Sequence, residues 1–97
     1  MAFIQIIDFR TSNYEGLSAL EAEWRAATEG KRTLRRSIIG RDRNDPDRYV
    51  VLAFFDDHES AVKNSELPET DAFAAKQIAI ADGPATFVDL DVIDDKS

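Results

Sequence analysis

Two stretches of the chain are apolar on both sides of an extended backbone. In residues 2–9, Phe3, Ile7 and Phe9 fall on one face and Ile4 and Ile6 on the other. The run "RYVVLAFF", Arg48 to Phe55, is the most apolar in the chain and again is greasy front and back. Side chains alternate sides along a strand, so strands of this kind must be covered on both faces. They belong in the middle of a sheet, and whatever packs on one face leaves the other to be covered by something else.

The segments between them supply the rest of the pattern. After the first strand, "TSNYEG" places Ser12 three residues before Glu15, the spacing of a capping box. The helix it opens carries Leu17, Leu20, Trp24 and Ala27 in one stripe, and Gly30 followed by Lys31 and Arg32 suits its C-terminal end. Residues 33–41, with Leu34, Ile38 and Ile39, read as a second strand, and "DRNDPD" is turn chemistry. Asp56 with Glu59 predicts a cap for a short helix to about Asn64. In "KNSELPETDAFAAK" that helix is interrupted: Pro68 suits the first turn of a new one, with Ser65 upstream as a cap, running to about Ala81 with Phe73, Ala74, Ile78 and Ile80 inward. The break is either a corner that keeps one long helix from overrunning the sheet or a place where free N–H groups and the Asn64 amide face a pocket. A last strand, Ala85 to Ile93, sets Val88, Leu90 and Val92 against Phe87, Asp89 and Asp91, the acidic set expected to face away from the helices.

The order β-α-β-β-α-β predicts an α+β, ferredoxin-like fold, an antiparallel sheet of order 4-1-3-2 with the helices on one face. Residues 1–97 form one domain in this reading. The two doubly apolar strands are then central, and a second copy packing its sheet on the uncovered face is the economical cover, so a homodimer is expected. A chain of 97 residues buries only roughly 60–70% of its unfolded surface, which also favours association. The formal net charge of −7 argues against a nucleic-acid partner. No apolar run reaches the roughly 20 residues of a membrane span, and the start "MAFIQIIDFR" has neither basic lead nor cleavage site, so a cytoplasmic protein is expected. With no cysteine there is no disulfide, thiolate metal site or cysteine nucleophile. Basic residues from Lys31 to Arg48 and acids such as Asp56, Asp57, Asp89 and Asp91 form separate blocks, either solvated edges or surfaces that meet between subunits.

The passage "YVVLAFFDDHESAVKNSELPETDAFAA" and the ending "DGPATFVDLDV" resemble the antibiotic-biosynthesis-monooxygenase-like, dimeric α/β-barrel family over nearly the whole chain. The resemblance implies a pocket between sheet and helices in each subunit, and a cofactor-independent oxygenase acting on a small aromatic or polyketide-type molecule. Oxygenases of that family commonly carry an Asn and, four residues on, a Trp on the third strand; the matching positions here are Val51 and Phe55. Its haem-degrading members bind iron through a His near the start of the last helix, where this chain has Thr70. No cofactor and no metal are therefore expected, and the alternative is a binding or accessory barrel without turnover.

Candidate site residues follow from strand parity. A turn symmetric about Asn44–Asp45 pairs Arg36 with Ala53 and puts Arg36 beside Tyr49, Val51 and Phe55 on the pocket side, where it can anchor an enolate or carboxylate. A slip of one residue would send it to the opposite face. Arg36, Tyr49 and Asn64 are the candidate catalytic contacts; Trp24, Val51, Phe55, Thr70 and Phe73 are the candidate substrate-binding wall. For Trp24, on the helix stripe, core packing is the first expectation and a pocket-lining indole N–H the second. His58, the sole histidine, falls in a wet first helical turn, and Asp89 with Asp91 would either meet basic residues of a partner subunit or hold a cation.

Overall fold

The central pair forms as its composition requires. In a computed structural model describing residues 1–97, β1 (Phe3–Arg10) runs antiparallel between β3 (Asp45–Phe55) and β4 (Thr86–Asp91), and β2 (Arg36–Asp42) closes the other edge on β3. The sheet order is β2-β3-β1-β4, so both doubly apolar strands are interior. Helix α1 (Tyr14–Ala27) follows β1, and α2 (His58–Ser65) and α3 (Pro68–Ile80) lie between β3 and β4. This is the α+β, ferredoxin-like arrangement that the sequence predicts. Its second helical segment is in two pieces, broken where Pro68 starts α3.

Cross-strand partners share a face, so the register assigns every side chain. One face carries Phe3, Gln5, Ile7 and Phe9 of β1 against Phe55, Ala53, Val51 and Tyr49 of β3. The helices pack here: Leu17 of α1 joins Phe9 and Tyr49, and Ala61 of α2 packs on Phe3, Ala53 and Phe55. The opposite face carries an apolar row that crosses all four strands, Ile38–Leu52–Ile6–Val88, with Phe54, Ile4 and Leu90 in the next row. No helix covers it, and Val88 and Leu90 remain 49% and 41% exposed.

The helix ends are built by other residues than the spacing suggests. Asn13, not Ser12, caps α1, its Oδ1 accepting from the Gly16 N–H at 2.9 Å, while Thr11 Oγ1 holds the Asn13 N–H. Thr11 is fully buried and donates to the Ile80 carbonyl at 2.7 Å, which anchors the chain one residue later than a Ser12 cap would. Asp57, not Asp56, caps α2 by accepting from Ser60 N at 2.7 Å, because Asp56 is held by Arg35 at 2.7 Å. Ser65 turns back to the Ala61 and Val62 carbonyls, and Leu67, at the N-cap of α3, gives no side-chain cap. The inward face of α3 is rotated as well: Phe73 and Ile80 pack inward, but Ile78 is 76% exposed.

A charged clasp closes the end of the sheet. Arg48 bridges Asp8 at 2.6 Å and Asp42 at 2.9 Å, and Arg10 pairs with Asp45. Part of the basic block therefore finds its acids within the chain. The Arg48 hydrogen bond holds the Asp8 carboxyl below its ordinary value, the Asn44 N–H and then Arg48 do so for Asp42, and Arg10 does so for Asp45. A carboxyl whose pKa is lowered by folding contributes stability above its unfolded value, near 4, and loses it as pH falls through the folded value. The urea midpoint is accordingly expected to be flat from pH 7 to about 5 and to fall below about pH 4. In Arg48→Met that acid-induced fall should be smaller; an unchanged slope would show that the clasp does not cause it.

Candidate functional site

Two small residues, Ser37 and Ala53, in one row of the helix-facing side leave room above the sheet. That row reads Ser37, Ala53, Gln5, Asp89 across β2, β3, β1 and β4, and it lies between the bulkier row Ile39, Val51, Ile7, Phe87 and the Phe55–Phe3 pair. The helices bridge over it with Trp24 of α1 and Phe73 of α3, whose ring centroids are 6.1 Å apart. The result is a cavity of about 350 Å³, with predominantly apolar walls, between sheet and helices. Ligand sites fall in a range of roughly 300–1,000 Å³, so this one suits a molecule of two or three fused rings.

Polar groups enter the cavity at defined points. Trp24 Nε1 donates to Thr70 Oγ1 at 3.0 Å, which fixes the indole and leaves the threonine proton free to donate elsewhere. Asn64, 8% exposed at the end of α2, accepts from Thr33 N at 3.2 Å through Oδ1, which turns its NH₂ group outward with no acceptor in the chain. Arg25, in the last turn of α1, reaches down to the floor, its Nη2 on Ser37 Oγ at 2.8 Å and its Nε near Glu21 at 3.3 Å. Gln5 is tied to Asp89 at 3.2 Å, and Asp71 stands at the rim, exposed. Aromatic walls with such donors can hold a flat molecule and stabilise negative charge on its oxygen.

No protein-family model matches the chain, and no curated protein matches it. Solved structures do. SnoaB, a cofactor-independent oxygenase from Streptomyces nogalater, matches with a TM-score of 0.81 at 15% identity, over 97% of this chain and 95% of that one. Rv0793 from Mycobacterium tuberculosis matches over the full length of both chains, TM-score 0.80, 14% identical. A crystal structure described as an antibiotic biosynthesis monooxygenase matches over 97% of this chain and all of its own, TM-score 0.75, 16% identical. The chain has the fold of the antibiotic biosynthesis monooxygenase structures. At such identities the likeness extends to the fold and not to a substrate.

Within that fold the predicted site residues divide. Trp24, Val51, Phe55, Asn64, Thr70 and Phe73 all line the cavity. Tyr49 shares their face but lies beyond them, 4% exposed, stacked on Tyr14 at 5.1 Å with its hydroxyl accepting from Arg41 Nε at 3.2 Å. Arg36 is on the other face. It pairs with Phe54, not Ala53, and its guanidinium lies 5.7 Å from the Phe54 ring. The cause is the hairpin: Arg43 and Asn44 form a tight loop between Asp42 and Asp45, and β3 bulges before Tyr49, so each pairing moves by one residue. Pro46, which has no N–H to give to a ladder, falls in that bulge.

The acidic strand is corrected too: Phe87, Asp89 and Asp91 face the helices, and Val88 and Leu90 face away. No three His, Asp or Glu side chains come together as a metal site, and His58 is exposed with its ring 5.2 Å from Phe3. No helix is long and apolar enough to cross a membrane. Sequence reasoning missed Arg25, Ser37 and Gln5. Arg25 is four residues after Glu21 and next to Trp24, a position that reads as an ordinary surface ion pair; only the tertiary fold carries it over Ser37.

Asn64 is structural as well as available. With Thr33, whose Oγ1 donates to the Ser60 carbonyl at 2.5 Å, it ties α2 to the segment before β2. Asn64→Ala should cost about 1–3 kcal/mol, since it strands the Thr33 N–H. A urea titration showing no loss would mean that water satisfies that group without cost.

Proposed function

We propose that the chain is a cofactor-independent, monooxygenase-like protein that holds a small aromatic or polyketide-type molecule between its sheet and helices. The observation that carries this reading is the cavity of about 350 Å³ lined by aromatic side chains and a few polar groups. In the proposed reaction an enolisable ring CH₂ loses a proton, with Asp71 the carboxylate best placed at the rim to accept it. The carbanion passes one electron to O₂, the carbon radical and superoxide combine to a peroxide anion, and that anion takes up the proton that Asp71 accepted. The resulting hydroperoxide loses water and leaves a carbonyl, one oxygen atom entering the product and the other leaving as water. Trp24, Thr70 and Phe73 would position the ring, and Asn64 would donate to the developing oxyanion. Two copies are proposed to pack their uncovered sheet faces together, each keeping its own cavity.

A binding or accessory protein without turnover is the second reading, favoured by Val51 and Phe55, which bring no polar group from β3 to the cavity. Thermal-shift screening with aromatic acids and quinols, followed by oxygen uptake on the binders, separates the two. A raised melting temperature with oxygen consumption supports the oxygenase, and a raised melting temperature without it supports the binder. If no aromatic compound raises it, both readings fall.

A further inference from the structure

We infer that the cavity selects aromatic ligands that carry an anionic oxygen (carboxylate, phenolate or enolate) and that Arg25 is the residue that makes the selection. The inference rests on the ligand-binding reading above and adds to it the charge of the ligand. Arg25 is held over the floor by its bond to Ser37 at 2.8 Å, and no protein acceptor engages its Nη1. Its counter-ion, Glu21, sits one turn earlier on the same helix at 3.3 Å, and both side chains are more than a third exposed at 40% and 38%. An exposed pair of this kind is weakly held, so a ligand oxygen can share or replace Glu21 without leaving a buried charge behind.

The other uncommitted groups agree in direction. Asn64 offers its NH₂, because Thr33 occupies its oxygen. Thr70 offers its O–H, because Trp24 occupies its lone pair. Three donors from α1, the end of α2 and the start of α3 thus line one cavity above the sheet. The carboxylates are placed differently: Asp71 is exposed at the rim, Glu21 is engaged by Arg25, and Asp89, in the row beneath the cavity, accepts from Gln5. A hydrogen bond to a charged group is worth more than one to a neutral partner, so an anionic ligand should be preferred over its neutral isostere by about tenfold or more.

Calorimetric titration with 2-naphthoate, 2-naphthamide and 2-naphthylmethylamine tests this. The wild-type protein should bind the acid about tenfold more tightly than the amide, and the amine weakest. In Arg25→Met the ratio of acid to amide affinity should fall from about ten to about one, and a cooperative urea transition near that of the wild type shows that the variant is folded. Arg25→Lys should keep part of the preference, since it keeps the charge but not the fork. Equal binding of acid and amide by the wild type, tighter binding of the amine, or a preference that survives Arg25→Met would overturn the assignment and leave the aromatic site standing. Failure of all three compounds to bind would overturn the site itself and the assignment with it.

Discussion

Phe9→Ala should lower the free energy of unfolding by about 3–5 kcal/mol. Phe9 is 2% exposed on the interior strand β1, with its ring stacked 5.9 Å from Tyr49 and packed against Leu17. It joins the sheet to α1, so truncation removes buried area from both layers and leaves a void away from the ligand cavity, where water cannot simply enter. A domain of this size has a total stability of about 5–15 kcal/mol, and each kcal/mol is worth roughly 4–8 °C of melting temperature. The variant should therefore melt at least 12 °C lower, about three times the smaller of those figures. Ile78→Ala is the control: on the outer side of α3 and 76% exposed, it should cost less than about 1 kcal/mol. Urea unfolding that placed both variants within 1 kcal/mol of the wild type would refute the core described here.

Leu52→Asp should split the proposed sheet-face dimer into monomers. Leu52 is paired with Ile38 on one side and Ile6 on the other, and Ile6 pairs with Val88, so the residue sits within an apolar row spanning the sheet. A carboxylate placed there has no partner in that row, and burying it against a second copy would cost several kcal/mol. A weakening of the self-association constant by a thousandfold or more corresponds to about 4 kcal/mol. Sedimentation at micromolar concentration should show the wild type near twice the mass of one chain and the variant near one. Identical sedimentation of the two would remove the sheet face as the interface.

The fold was legible because it depends on quantities that the sequence displays directly. Strands apolar front and back must be interior, and the two that qualify, β1 and β3, are interior. Trp24 and Phe73 were legible as inward-facing for a related reason, since Trp24 continues the Leu17–Leu20 stripe of α1 and Phe73 is the one large ring of α3. What misled was local geometry at single-residue resolution. The caps moved from Ser12 to Asn13 and from Asp56 to Asp57 because distant partners, the Ile80 carbonyl and Arg35, claim the neighbouring positions. The bulge before Tyr49 shifted the β2–β3 register by one and moved Arg36 across the sheet. The cavity does have an arginine, Arg25, but it comes from a helix, where spacing alone cannot say which strand residue lies beneath it.

The site itself is most directly tested by following the indole N–H of Trp24, the chain's only tryptophan, in a proton–nitrogen correlation spectrum during titration with 2-naphthoate. Its cross-peak and the side-chain amide of Asn64 should shift together in a saturable manner, while the backbone amides of Ile6 and Leu52 on the other face stay in place. If the naphthoate saturates the protein and moves Ile6 and Leu52 but not Trp24, the ligand binds elsewhere, and the cavity between sheet and helices is not the functional site.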